Sequence, residues 1–245
     1  MSQQNKLRIL VVMSIIKLFN KKKSFIKFAM KNYSLGFTLA EVLITLGIIG
    51  IVSAMTIPTL LHEYQIKRTI SILKEDQSII TQMLKLSEVD NGEPEGWDGV
   101  GEYSENNAIK LSKKINPYLK IATDCGTYDP KGMCVRNDTY KYLNGAIFGN
   151  YALIRRMYKV KLLNGSTIMY YTYPSLIIFV VDVNGNKLPN TIGIDVFYFK
   201  YNLGSGLVAS GQPNFYDYKT HCTKDSDGWG CTYYVLNFGN MDYLK

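Results

Sequence analysis

The chain has 245 residues, 28 Lys plus Arg against 20 Asp plus Glu, and 47% hydrophobic residues with only 20% charged, a composition that excludes a disordered chain and a polytopic membrane protein. The formal charge of +8 would suit a polyanion, but its placement argues otherwise. Residues 1–36 hold eight bases (Lys6, Arg8, Lys17, Lys21, Lys22, Lys23, Lys27 and Lys31) and no acid, leaving 20 bases and 20 acids in residues 37–245, so a nucleic-acid partner is not expected.

After the basic stretch, Val42 to Leu61 (VLITLGIIGIVSAMTIPTLL) runs 20 residues without a charge. A helix of that length covers roughly 30 Å, the thickness of a bilayer core, and predicts one membrane span. The Lys-rich side is expected to stay cytoplasmic and residues beyond 62 to be exported. A cleaved secretory signal is the competitor. It is disfavoured because its apolar core is shorter, roughly 7–15 residues, and ends in an A-x-A type site, where this chain has Pro58, Thr59, Leu60, Leu61 and His62.

The junction itself reads Gly36-Phe37-Thr38-Leu39-Ala40-Glu41-Val42. An acid at the start of a membrane helix is costly unless paired, so Glu41 needs a partner or a route to water. GFTLAEVLITLGIIGIVSAMTIPTL, over about 25 residues, resembles the amino terminus of type IV pilins and of the pseudopilins of type II secretion systems. The resemblance implies cleavage between Gly36 and Phe37 by a membrane prepilin peptidase, followed by methylation of the new Phe37 amine. Glycine lacks a Cβ, which allows the close backbone approach such a cut requires. The resemblance also implies that Glu41 meets the positive amine of a neighbouring subunit and fixes its axial register. Pro58 then matches the family position that bends or locally melts the helix. Gly47, Gly50 and Ala54 permit close helix contacts, although ordinary membrane-helix composition explains them equally. Within the leader, MKNYSLG beginning at Met30 has the compact family form, and Met30 is the expected start.

Beyond Pro58 an amphipathic helix is predicted to continue to about Ser87, with Ile66, Ile70, Leu73, Ile80 and Leu84 on one face. From Phe37 that helix would be roughly 77 Å long. Asp90-Asn91-Gly92-Glu93-Pro94 breaks it. The expected organisation is therefore a removable leader (1–36), a transmembrane and assembly helix (37–61), its amphipathic continuation (62–90), and an exported domain (91–245). Within the last, residues 105–120 read as a helix stopped near Pro117. The remainder reads as strand, with two strands around Asn164-Gly165, a buried strand Leu176 to Val183 and another from Asp195 to Tyr201. An α+β pilin-like fold follows, a long helix packed on an antiparallel β-sheet. The stretch 181–199 (VDVNGNKLPNTIGIDVFYF) also resembles pseudopilin-like ectodomains.

Cys125 and Cys134 are nine apart, as are Cys222 and Cys231, and all four lie beyond the span, where disulfides persist. Zinc sites favour C-x2–4-C spacing, so two disulfides are expected. Three pairings are open, and the two local loops close at least entropic cost. No catalytic site, metal or cofactor is expected. His62-Glu63-Tyr64-Gln65-Ile66 lacks the second histidine of a zinc-protease motif, and neither G-x-S-x-G nor a phosphate-binding G-x4-G-K-[ST] occurs. Asp182, Asn184, Asn186 and Asp195, or Asp225 and Asp227, could gather oxygens for calcium but read better as turn residues.

Three functions remain from this reading. The leading one is a structural subunit of a type II secretion pseudopilus or type IV pilus-like fibre. Its partners would be prepilin peptidase, other pilin or pseudopilin subunits and an inner-membrane assembly platform, and its place the inner membrane and then a fibre in the periplasm or at the cell surface. The second is a minor tip subunit binding a secreted substrate, a surface or DNA. The third is a membrane-tethered exported enzyme, disfavoured by the absent motifs.

Overall fold

The computed structural model describes residues 38–245. Its first element is helix α1, Leu39–Asn91. The chain divides into two compact units, one ending at Ile57 and the other running Pro58–Lys245. In the first, the apolar window of α1 buries none of its side chains. This suits a helix whose whole circumference meets an apolar environment.

The second unit carries the remaining elements, and its part of α1 has a single buried face. Ile70, Leu73, Asp76, Ile80, Met83, Leu84 and Ser87 are buried at three-, four- and one-residue steps, the spacing that places side chains over successive turns. Helix α2 (Glu105–Ile115) begins where the Ser104 hydroxyl accepts the Asn107 N–H. It gives way to a short 3-10 turn, Asn116–Tyr118, containing Pro117.

Eight strands follow: β1 (Ile121–Gly126), β2 (Tyr140–Lys141), β3 (Ile147–Gly149), β4 (Tyr158–Leu162), β5 (Thr167–Tyr173), β6 (Leu176–Asp182), β7 (Val196–Asn202) and β8 (Gly206–Ala209). Six form one sheet in the order β1-β4-β5-β6-β7-β8, and β2 pairs with β3. All the strand pairs are antiparallel, which fits connection by short turns. The β4–β5 hairpin turns at Asn164-Gly165, where Gly165 has φ of +92°. Asn-Gly suits such a turn because its backbone torsions demand positive φ.

One sheet face packs on α1 and α2. Ile168, Tyr170, Phe179, Val181, Phe197 and Phe199 share a core with Leu73, Ile80, Met83, Leu111 and Ile115. The other face forms a second core, in which Met169, Val180 and Tyr198 meet Cys134, Val135, Tyr140 and Tyr151. The layout is α+β and pilin-like, a long amino-terminal helix with a six-stranded antiparallel sheet.

The expectation of strand throughout the remainder is corrected at the carboxyl end. Helices α3 (Tyr218–His221) and α4 (Cys231–Phe238) stand there. CTYYVLNF is rich in strand-favouring Tyr and Val, yet burial of Cys231, Thr232 and Val235 on one side holds it helical. Gly239, at φ of +65°, ends it in the left-handed conformation.

Candidate functional site

The site begins where α1 begins. Thr38 stands immediately before the first helical residue, and its Oγ1 accepts the Glu41 backbone N–H at 3.2 Å. In return the Glu41 carboxylate accepts the Thr38 backbone N–H at 3.1 Å and the Thr38 hydroxyl at 3.0 Å. This reciprocal arrangement is a capping box. Thr-x-x-Glu satisfies backbone donors that the first helical turn cannot pair with itself, and the carboxylate lies at the positive end of the helix dipole. The resemblance implies a neighbouring chain for Glu41, and Thr38 carries no expectation in it. The Thr38-Leu39-Ala40-Glu41 spacing ahead of an apolar run was the available signal.

Beyond this box α1 exposes a run of apolar side chains among the described residues. Leu39, Leu43, Ile44, Leu46, Ile49 and Ile51 all present large exposed side chains. Gly36 and Phe37, the expected processing pair, lie outside the described residues. Pro58 lies inside α1, and helical backbone runs on both sides of it. The ring removes one N–H donor from that turn without melting the helix.

The remaining predicted residues sit in the second unit and are held by structural contacts. Cys125 is bonded to Cys134, and Cys222 to Cys231. Asp129 lies close to the first bridge, but its oxygens accept the backbone N–H groups of Met133, Cys134 and Val135. Asp182 and Asp195 are both buried. Tyr140 donates its hydroxyl to Asp182 at 2.8 Å, and the Asn184 N–H donates to the same carboxylate. Asp195 accepts from the backbone N–H groups of Asn190 and Thr191 and from the Asn184 side chain. These carboxylates therefore organise the 182–195 turn through N–H and O–H donors. Burial pushes the Asp195 carboxyl up to about 6 and that of Asp182 well above its ordinary range, the neighbouring charge adding to the effect at Asp182. Asn186 donates to the Gly132 carbonyl. Asp227 accepts from His221 Nδ1 at 2.8 Å and from the Trp229 N–H, while Asp225 is exposed.

Asp76 is the one acid on the buried face of α1. Asn164 Nδ2 donates to it at 3.0 Å and the Ser166 hydroxyl at 2.8 Å, joining the helix to the β4–β5 turn. Burial, with a smaller contribution from Glu75, raises its carboxyl to about 6 against the pull of those two hydrogen bonds.

Residues 31–57 match the family described as the prokaryotic N-terminal methylation motif, the signature of type IV pilins and pseudopilins. The matched segment contains Gly36, Phe37, Thr38, Glu41 and the exposed apolar run. No curated protein and no solved structure matches the chain.

Proposed function

We propose that the chain is a structural subunit of a type II secretion pseudopilus or a type IV pilus-like fibre, cut between Gly36 and Phe37 by prepilin peptidase and anchored by residues 42–61 until assembly. The observation that carries this reading is the methylation-motif match at residues 31–57. It is supported by an α1 segment whose apolar window is left unburied among the described residues. The exported part would be residues 91–245 with the amphipathic continuation 62–90, and its partners would be the peptidase, other subunits and an inner-membrane assembly platform.

In this account Glu41 has two roles in sequence. Before assembly the Thr38 box keeps it solvated by protein donors. On assembly its charge meets the mature amine of a neighbour in an apolar bundle, where removing one partner of such a pair costs about 3–5 kcal/mol. Two substitutions separate the roles. Glu41→Gln keeps a carbonyl acceptor for the Thr38 N–H but loses the charge, whereas Thr38→Ala loses the hydroxyl cap and keeps the charge. Sheared-fibre yield should fall at least about tenfold in Glu41→Gln with membrane-fraction level unchanged, and much less in Thr38→Ala. Normal fibres from Glu41→Gln would remove the mechanism.

A further inference from the structure

The two faces of the sheet treat their tyrosines differently. On the α1 side Tyr158 donates to Asp124 at 3.0 Å, Tyr170 to Asn116 at 2.6 Å and Tyr201 to Glu88 at 2.6 Å. On the opposite face Tyr171 and Tyr173 of β5 and Tyr198 of β7 stand beside Tyr216 and Trp229 around a cavity of about 370 Å³, within the range of small-molecule sites. The Tyr198 side chain is only 3% exposed, and its hydroxyl has no hydrogen-bond partner among the described residues. Of the seven buried side-chain polar atoms without a partner among the described residues, the Tyr198 hydroxyl is the one on a residue that lines this cavity, and a buried donor left unpaired calls for a cause.

The walls have a definite chemistry. Trp229 lies 4.0 Å from the Tyr198 ring and is stacked on Tyr216 at 5.5 Å with an interplanar angle of 22°. Tyr216 is 44% exposed and is held at φ of +54°, a conformation that bulky residues seldom adopt. Tyr103 extends the aromatic surface, 5.0 Å from Tyr171 and 5.5 Å from Tyr173. The nearby cations are already laid over rings, Lys200 over Phe215 and Arg156 over Tyr103. Burial raises the phenols of Tyr171 and Tyr198 above their ordinary range, so they stay neutral and able both to donate and to accept.

We propose that this groove binds a saccharide, one pyranose face stacking on Tyr216, which Trp229 backs, while its hydroxyls pair with the phenols, that of Tyr198 included. A sugar ring offers both a C–H face for the aromatic wall and hydroxyls that donate to and accept from its phenols. A proline-rich peptide would bring apolar rings and carbonyl acceptors but few donors. A single-stranded nucleic acid would need a track of cations beneath its phosphates, and Lys200 and Arg156 are already engaged with rings. This site is independent of the assembly reading, since it lies in the second unit and uses neither Glu41 nor the motif segment.

Fluorescence titration of the full-length chain in a phosphocholine detergent tests it, because Trp97 is buried in the other core and Trp229 reports on the groove. The probes are cellotetraose, chitotetraose and tetragalacturonate, with decaproline and an oligothymidylate as the competing chemistries. At least one saccharide should give a saturable change below about 10 mM. Tyr216→Ala should weaken it about tenfold or more, and Tyr198→Phe, which removes only the unpaired hydroxyl, at least about threefold while leaving the melting temperature unchanged or higher. Overturning results are no saturable response to any saccharide, a response to decaproline or oligothymidylate alone, or wild-type affinity in either variant. Failure here leaves the processing and fibre predictions untouched.

Discussion

Two stretches of one helix, Leu39 to Ile57 and Ile66 to Ser87, are built from similar aliphatic residues and meet opposite fates. In the first, Leu43, Leu46, Ile49 and Ile51 are each about 60% exposed within the chain. In the second, Leu73 and Ile80 are fully buried. Charge placement explains the contrast. Lys67, Arg68, Lys74 and Glu75 break the second stretch into a polar and an apolar side, and that apolar side fits a sheet. The first carries no charge after Glu41, and its apolar window stays unburied among the described residues. A bilayer and then neighbouring subunits are the partners proposed for it.

If that contrast is right, equal truncations should have unequal costs. Leu73→Ala should destabilise the folded second unit by about 2–5 kcal/mol through lost burial and a cavity. Leu46→Ala should change it by less than about 0.5 kcal/mol. Thermal unfolding of the full chain in detergent reads both, and comparable costs would break the distinction.

A smaller effect sharpens the same comparison from the buried side. Asp76, carrying a raised carboxyl, is protonated more readily when folded than when unfolded. Its contribution to stability is therefore fully present below pH 4 and is lost as pH rises through 6, a difference of about 3 kcal/mol at most. Asp182 and Asp195 act in the same direction. Asp76→Asn keeps an acceptor for Asn164 and Ser166 and removes the charge. It should match wild type near pH 4 and exceed it near pH 7.5, in denaturant unfolding at the two pH values. A variant less stable than wild type at pH 7.5 would mean that the charge itself holds the β4–β5 turn.

The parts of the fold that were legible in sequence are those with a local physical signature. The uncharged run and its amphipathic continuation gave α1, and Asn164-Gly165 gave the central hairpin. What escaped depends on distant partners. Strand β1 pairs with β4 through irregular register, and IATDCG has no alternation strong enough to announce it. Lys159 reads as a solvent-facing residue of an alternating strand. It is instead fully buried, with Nζ donating to the carbonyls of Thr127, Ile154 and Met157. At the amino-terminal junction, Glu41 stands out by its cost in an apolar helix, whereas its contact with the hydroxyl three residues away is marked only by the Thr-x-x-Glu spacing. The aromatic groove joins residues from β5, β7 and two later loops, a juxtaposition with no trace in spacing.

The central claim is that the motif at the junction is processed and that the apolar half of α1 then becomes an assembly surface. Intact-mass and amino-terminal peptide mass spectrometry of the chain from membranes and sheared fibres tests it most directly. A species beginning with methylated Phe37, replaced by full precursor in Gly36→Val, is the predicted result. A fibre-associated or membrane chain that retains its leader through Gly36 in the wild type would contradict it.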